Sequence, residues 1–320
     1  MTTNPDQIKV GVAQMAPVWF DRERTLAKVV QRIDQAAGAG CDLVVFGEAL
    51  VPGYPRWLER SGGAAFDSPV QKALHAEYQS QAVQIERGDL DTICEAARKA
   101  DIAVALGVVE RPGDRGGHSL YAAAVYIDKT GAINNVHRKL MPTYDERLTW
   151  ATGDGHGLRT QPLGAFSVGV LNCWENWMPL ARSALYAQGE DLHVALWPGS
   201  LRNTRDITRF IALESRGYVI SVSCITRASD IPPDVPHRDL FVHDESELFS
   251  DGGSCICGPN GEWIVEPVVG TEELLIATLD HVRVREERQN FDPVGHYARP
   301  DVMTLKVNRE RQRPVSFSDD

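Results

Sequence analysis

Three segments of the chain place a reactive side chain where an apolar, strand-like run ends. Cys173 ends one such run, and Pro179 opens a helical stretch soon after it. Glu48 and Lys139 each follow another strand-like run. Side chains at the carboxyl ends of strands converge where α/β sheets hold their active sites. Brought together there, the three would supply a nucleophile, a base and a cation.

The segment around Cys173 predicts a strand, a sharp turn and then a helix. Such a turn exposes a side chain at the end of a sheet and directs helix N-terminal amides toward it, which favours a thiolate. For this residue alone, a buried structural role is the more common case, because a free cysteine behaves mostly as a small hydrophobic side chain. The Glu48 and Lys139 segments make the chemical interpretation the stronger one.

The three segments resemble the signatures of a known family. Phe-Gly-Glu at 46–48, His-Arg-Lys-Leu-Met-Pro-Thr at 137–143 and Asn-Cys-Trp-Glu at 172–175 resemble those of the nitrilase superfamily, the carbon–nitrogen hydrolases. The resemblance extends from Lys9 to about Val307. It implies an α/β fold, a four-layer αββα sandwich with two mixed sheets face to face and helices outside.

The resemblance also implies a role for each reactive residue. Cys173 would attack an electrophilic carbon and form a covalent intermediate. Glu48 would act as general base, provided that its surroundings raise its pKa toward neutrality. Lys139, with the backbone amide of Trp174, would stabilise the negative charge that develops on the attacked group.

Two further glutamates lie close to these motifs. The resemblance implies that Glu146 approaches the thiol and positions substrate or transfers a proton; a surface ion pair with Arg147 is the alternative. Glu175 could face the site or hydrogen-bond the turn, and the sequence leaves both open. We expect a structural hydrogen bond for His137, whose flanks do not resemble those of a cysteine–histidine protease.

Five aromatic residues follow strands or lie in these loops: Trp174, Trp197, Tyr54, Trp150 and Tyr144. They could line an apolar substrate pocket. Ordinary packing in the core is the alternative for each of them.

The flanking residues point to the true nitrilase branch. Trp174 and Glu175 follow the nucleophile, and Met-Pro-Leu-Ala-Arg follows at 178–182, as in nitrilases. Residues 294–301 also resemble that branch, although Gly47 stands where many relatives carry proline. The resemblance therefore implies hydrolysis of a small nitrile to a carboxylic acid and ammonia. An amidase or N-carbamoyl hydrolase of the same superfamily is the alternative, and a catalytically silent interaction protein is the option from another class.

Composition excludes several other classes. The chain has 320 residues, is 43% hydrophobic and has a formal net charge of −11, which argues against non-specific binding to nucleic acid or anionic lipid. No apolar run reaches the length of a membrane span, and the first residues lack the pattern of a signal peptide, so we expect a cytoplasmic protein. Six scattered cysteines indicate reduced thiols. No zinc, dinucleotide or P-loop pattern is present, so neither metal nor cofactor is expected.

Periodicity predicts alternating strands and helices. Helices are predicted at 22–37, 71–86, 90–99, 179–189, 204–216 and 281–289. Strands are predicted at 8–15, 43–46, 103–109, 121–127, 132–136, 166–171, 194–197, 218–224, 255–258, 263–265 and 274–279. Residues 225–250 show little periodicity and are predicted to form a loop.

We expect one catalytic domain at residues 1–290 and a C-terminal tail at 291–320. The resemblance implies a homodimer, extended in some nitrilases into a spiral, with the helix at 179–189 on the dimer face. A tail that covers its own subunit, or is disordered, is the alternative.

Overall fold

The computed structural model describes residues 4–315 and contains two β-sheets covered by helices. Thirteen strands form the sheets: β1 (Gln7–Gln14), β2 (Leu43–Phe46), β3 (Ala103–Glu110), β4 (Tyr121–Ile127), β5 (Ile133–Arg138), β6 (Gln161–Leu163), β7 (Phe166–Asn172), β8 (Leu192–Trp197), β9 (Tyr218–Ser223), β10 (Ile225–Arg227), β11 (Leu248–Cys257), β12 (Trp263–Val269) and β13 (Glu273–Asp280).

Seven α-helices connect or cover these strands: α1 (Arg22–Gly38), α2 (Trp57–Arg60), α3 (Pro69–Gln81), α4 (Asp91–Ala100), α5 (Pro179–Tyr186), α6 (Leu201–Ser215) and α7 (His281–Arg288). Helix α1 shows why the sequence folds in this way. Asp21 caps its first turn by accepting from the backbone amide of Arg24, and Leu26, Val29 and Ile33 form the buried face.

Both sheets are mixed. The first has the order β13-β1-β2-β3-β4-β5, with parallel β1, β2 and β3 at its centre. The second has the order β10-β11-β9-β8-β7-β6, with parallel β7, β8 and β9, and β12 pairs with β11. Parallel central strands direct their carboxyl ends the same way, so β2 and β7 both deliver the residue that follows them to one edge.

The core has three layers of packing. Side chains of both sheets meet in a central layer that includes Val10, Val45, Val168 and Val194. Helices α1 and α4 cover the outer face of the first sheet, while α5 and α6 cover that of the second. This arrangement confirms the expected four-layer αββα sandwich.

The region after β9 differs from the sequence prediction. Residues 225–250 were expected to form a loop, but β10 lies within this range and β11 begins at Leu248. Pairing between β10 and β11, with a register shift near Thr226, makes these strands, and such pairing leaves little trace in local periodicity. Helix α3 is shorter than predicted and ends at Gln81, before a separate turn at Ile85–Arg87.

Part of the tail packs on its own subunit. Arg311 donates to Asp154 Oδ1 at 3.0 Å, and His156 Nδ1 lies 3.2 Å from the carbonyl oxygen of Arg309. Residues 316–320 of the expected C-terminal tail lie outside the described residues. Among residues 4–315, the helices are all too short or too polar to cross a membrane.

Candidate active site

Glu48, Lys139 and Cys173 lie together at one edge of the sandwich. Glu48 follows β2 and Lys139 follows β5 in the first sheet, whereas Cys173 follows β7 in the second. All three side chains are at least 98% buried: Glu48 is 0%, Lys139 1% and Cys173 2% exposed. The two sheets thus bring the sequence-predicted residues into one enclosed site.

Gly47 allows the sheets to approach closely enough for this. A Cβ atom at this position would lie only 2.8 Å from the carbonyl oxygen of Trp197 on β8. The adjacent backbone amide of Glu48 donates to the same oxygen at 3.1 Å. The missing side chain therefore lets the end of β2 contact the second sheet and carry Glu48 into the site.

Lys139 bridges two carboxylates. Its Nζ donates to Glu146 Oε2 at 2.7 Å and lies 2.9 Å from Glu48 Oε1. The contact to Glu48 is an ion pair at hydrogen-bonding distance. One carboxylate oxygen of Glu48, one of Glu146 and the thiol sulfur of Cys173 all lie within 4.8 Å of one another. Glu48 thus lies beside both the ammonium group and the thiol.

The surroundings of Glu48 suit a base that works near neutral pH. Burial raises the pKa of this carboxyl from 4.5 to about 7; Lys139 opposes the rise and Glu146 adds to it. Burial acts because the charged form loses its hydration. The pKa of Glu48 is therefore raised toward neutrality, as a general base at this position requires.

The thiol does not have the environment expected from the sequence. Burial, and then the charge of Glu48, raise the pKa of Cys173 well above its ordinary value, although Lys139 lowers it. The expectation that the turn favours a resting thiolate is therefore wrong. Removal of the proton by a nearby base at the moment of attack is the chemistry that this arrangement supports.

The electrostatics of Lys139 keep it charged. Burial alone would lower its pKa, but interaction with the acidic groups of Cys173, Glu48 and Glu146 raises it above the ordinary value of 10.5. A permanent ammonium group at this point can stabilise an anion that develops beside the thiol.

The turn that carries Cys173 also differs in detail from expectation. A 3₁₀ turn, Cys173–Trp177, separates β7 from α5, so the amide beside the thiol belongs to Trp174 in this turn and not to α5. Cys173 has a φ of 50°, in the left-handed region that residues with a Cβ atom rarely adopt. The nucleophile position is therefore strained and needs support from its neighbours.

Glu146 has a partner on each side. Its Oε1 accepts from the Tyr54 hydroxyl at 2.8 Å, and its Oε2 accepts from the amide of Thr143 at 2.6 Å as well as from Lys139. The side chain is 1% exposed. The alternative of a surface ion pair with Arg147 is excluded, since Glu146 lies inside and holds the ammonium group in place.

Glu175 ties the two catalytic loops together. Its Oε1 accepts from the amide of Leu140 at 2.8 Å, and its Oε2 accepts from the amide of Asn172 at 3.0 Å. His137 Nε2 lies 2.9 Å from the same Oε2, which makes the structural contact expected for that histidine. One buried carboxylate thus joins the residue after Lys139 to the residue before Cys173, and the question that the sequence left open is decided in favour of the turn.

The five aromatic residues occupy different environments. The Trp150 ring packs edge-on against Tyr54 at 5.6 Å, and Lys139 Nζ lies 5.6 Å from its centroid. Trp197 is fully buried in the cluster that contains Cys173. Trp174 is 44% and Tyr144 85% exposed, so both lie toward solvent. Trp150 and Tyr54 lie beside the charged groups, and the pocket role of all five residues stays a prediction.

Two buried polar residues beside the site were missed in the sequence analysis. Asn176 Nδ2 donates to the carbonyl oxygen of Cys173 at 2.7 Å, and His193 Nε2 lies 2.7 Å from Asn176 Oδ1. A histidine within the apolar strand β8 was the available signal, because a buried imidazole requires polar partners.

Among residues 4–315, the same cluster is the one that could offer ligands to a metal ion, through Glu48, Glu146 and Cys173. Lys139 already supplies a positive charge within 2.9 Å of both carboxylates. A second cation at this point would be repelled by the ammonium group. The arrangement favours acid–base and nucleophilic chemistry.

Comparison with known proteins decides the family. The family model described as carbon–nitrogen hydrolase matches residues 9–289. This chain belongs to the carbon–nitrogen hydrolase family. The match spans both sheets and all the motifs from which the site is built.

Several curated members of the family are similar over nearly the whole chain. A protein named Nitrilase 2, from an unknown prokaryotic organism, is 36% identical, with 98% of this chain and 96% of the relative covered. The aliphatic nitrilase of Sinorhizobium fredii is 34% identical, with 97% and 98% covered. A bifunctional nitrilase/nitrile hydratase of Nicotiana tabacum is 33% identical, with 97% and 89% covered.

Solved structures of carbon–nitrogen hydrolases share the fold. The carbon–nitrogen hydrolase of Helicobacter pylori has a TM-score of 0.66 at 20% identity, with 92% of this chain and 96% of that chain covered. An amidase from Nesterenkonia sp. has a TM-score of 0.65 at 16% identity, with 90% and 96% covered. These two likenesses concern the sandwich itself.

Proposed function

We propose that the protein is a nitrilase that converts an organic nitrile and two waters to a carboxylic acid and ammonia. The observation that carries the proposal is the buried cluster in which the carboxylate of Glu48 and the ammonium of Lys139 lie beside the Cys173 thiol. Relatives named nitrilase, 33–36% identical over nearly the full length, support the choice of a nitrile as substrate.

In the first half of the reaction, Glu48 takes the proton of the Cys173 thiol as sulfur attacks the nitrile carbon. A carbon–sulfur bond forms and one carbon–nitrogen π-bond breaks. The nitrogen becomes negative and is protonated, which gives a thioimidate. Lys139 and the amide of Trp174 stabilise the charge on nitrogen before the proton arrives.

In the second half, Glu48 activates water. Addition of the first water gives a tetrahedral intermediate, from which protonated nitrogen leaves as ammonia and a thioester remains. The second water hydrolyses the thioester, releases the acid and returns the proton to the Cys173 thiol. Loss of the thiolate from the tetrahedral intermediate would instead release an amide, so part of the product can be amide.

Glu146 and Tyr54 support this chemistry indirectly, by holding Lys139 in place. Tyr54 donates to Glu146, which in turn accepts from Lys139. These two hydrogen bonds fix the ammonium group beside Glu48. Since Trp150 also packs on Tyr54, we propose that these two rings form the wall of the substrate pocket next to the charged groups, with Trp174, Trp197 and Tyr144 as further candidates.

The proposed activity is tested by ammonia release. Purified protein is assayed with aliphatic, aryl and arylaceto-nitriles, and in parallel with the corresponding amides and with N-carbamoyl amino acids. Nitrile-dependent ammonia and acid, lost in Cys173→Ala, are expected. Turnover of amides or carbamoyl compounds with no turnover of any nitrile would contradict the proposal and favour the amidase or N-carbamoyl hydrolase alternative.

We also propose that the protein self-associates through the face formed by α5 and α6. Three apolar side chains on these helices are at least 40% exposed: Leu180, Phe210 and Leu213. An apolar surface of this kind is typical of an interface. Because α5 follows the Cys173 turn directly, a partner on this face would stabilise the turn, and extension of the dimer to a spiral would involve other surfaces.

A further inference from the structure

A buried chain of hydrogen bonds leads away from the backbone carbonyl of Cys173, and the proposed reaction does not use it. Asn176 Nδ2 donates to the carbonyl oxygens of Cys173, at 2.7 Å, and Leu171, at 3.4 Å. Asn176 Oδ1 lies 2.7 Å from His193 Nε2, and His193 Nδ1 lies 2.9 Å from Glu190 Oε1. The side chains of Asn176, His193 and Glu190 are each at most 1% exposed.

Hydrogen-bond chemistry fixes the direction of this chain. Two backbone carbonyls face the amide end of Asn176, and carbonyls only accept, so its NH₂ group must point to them. Its oxygen therefore faces His193, and His193 Nε2 must carry a hydrogen. The 2.9 Å contact between His193 Nδ1 and Glu190 Oε1 needs one further hydrogen, because a bare ring nitrogen and a carboxylate oxygen only accept.

The surrounding backbone is shaped to hold the chain. Gly169 on β7 leaves the space in which the Glu190 carboxyl lies, since a Cβ atom there would overlap Oε1. Arg182 donates to the carbonyl oxygen of Asn176 at 2.7 Å, and Arg288 donates to that of Glu190 at 2.5 Å. Both ends of the chain are therefore anchored to α5 and α7.

The position that receives this support is the strained one. Cys173 has a φ of 50°, and its carbonyl orientation determines where the Trp174 amide and the thiol point. We propose that Asn176 and His193 are positioning residues for Cys173: they hold its carbonyl group and thereby direct the thiol toward Glu48. The proposal rests on the assigned role of Cys173 as nucleophile.

Two substitutions of His193 distinguish a positioning role from a role in stability alone. His193→Gln places an amide nitrogen near the position of Nε2, so the donor to Asn176 is kept. His193→Asn is shorter and places its polar atoms near Nδ1, so the contact with Glu190 is kept and the donor to Asn176 is lost. Each variant is measured for kcat, KM, thermal unfolding and the rate at which iodoacetamide alkylates Cys173.

We expect His193→Gln to retain kcat within about threefold, and His193→Asn to lose about tenfold to a hundredfold, because small misplacement of a reacting group has effects of this size. KM should change little in both, and alkylation should slow only in His193→Asn. Equal kcat and equal alkylation per folded enzyme in the two variants, with a change in melting temperature alone, would overturn the proposal.

Asn176→Asp provides an independent test if His193→Asn does not fold. The carboxylate keeps the bond from His193 and the shape of the side chain, but it cannot donate to the carbonyl of Cys173. We expect a fall in kcat and in alkylation rate, and wild-type values in the folded variant would overturn the proposal. If the wild type hydrolyses no nitrile, the proposed function fails, whereas the alkylation rates still test the positioning role.

Discussion

Lys139 Nζ donates a 2.7 Å hydrogen bond to Glu146 Oε2 inside the protein, where both side chains are 1% exposed. A third residue, Glu48, lies beside the same ammonium group. The same ammonium group lies 2.9 Å from Glu48 Oε1, so one cation is shared by both carboxylates, and Glu48 is the one whose pKa burial raises to about 7. One carboxylate thus holds the cation, and the other can move the proton.

Replacement of Cys173 by alanine should abolish turnover while the fold survives. The thiol is the sole nucleophile in the proposed reaction, so residual activity should stay below about one per cent of wild type. Ammonia release and circular dichroism measure the two effects. Cys255→Ala is the control, because this thiol lies against Thr208 of α6, away from the charged cluster. Higher activity in Cys173→Ala would refute the assignment.

Glu48→Gln should lower kcat by about 10²–10⁴, the usual effect of losing a general base. The pKa of Glu48 is about 7, so wild-type kcat/KM should fall as the pH drops below that value and the carboxylate becomes protonated. The rate at which iodoacetamide alkylates wild-type Cys173 should fall over the same pH range. Glu48→Gln should not show this fall. Equal alkylation rates at pH 7 would show that Glu48 acts only after the thioimidate has formed.

Glu48→Gln should also change how the free energy of unfolding depends on pH. Glu48 has a pKa of about 7 when folded and near 4.5 when unfolded, so between these values the folded state binds more protons and wild-type stability falls as pH rises. Glutamine does not titrate. The stability of Glu48→Gln relative to wild type should therefore rise between pH 5 and about 7.5, by about 2 kcal/mol. Chemical denaturation at several pH values measures it, and a pH-independent difference would contradict the raised pKa.

Glu175→Gln should lower kcat although Glu175 has no part in bond making. Either orientation of the new amide puts its NH₂ group against a backbone N–H, of Leu140 or of Asn172. Both catalytic loops should shift, and we expect a loss of about tenfold to a hundredfold in kcat. Glu95→Gln, at an exposed ion pair with Arg98, is the matched control. Full activity in Glu175→Gln would mean that the loops keep their places without the carboxylate.

Light scattering at low micromolar concentration should show a dimer or a larger assembly. Leu180→Asp should weaken it and reduce activity, because a charge would lie on the apolar face next to the Cys173 turn. Phe66→Asp is the control, since Phe66 is fully exposed on a loop away from that face. A fully active 35 kDa monomer of the wild type would contradict the coupling between assembly and activity, whereas a plain dimer would exclude only the spiral.

The sequence by itself determined the family, the layered fold and the three reactive residues. These features depend on short-range patterns. An apolar run that fits a buried parallel strand, followed at once by Glu48, Lys139 or Cys173, predicts both the strand and the position of the side chain at its carboxyl end. The strands β2 and β4 were predicted with the bounds that the structure has.

Tertiary structure alone decided the electrostatics and the supporting contacts. Whether the Cys173 thiol is protonated depends on its burial and on the charge of Glu48. The spacing of residues in the sequence does not reveal either, and the expectation of a thiolate was wrong for that reason. Glu175 and His193 act through partners 35 and 17 residues away in the chain. Such contacts arise when strands that are distant in the sequence pack together, so the local spacing of residues does not reveal them.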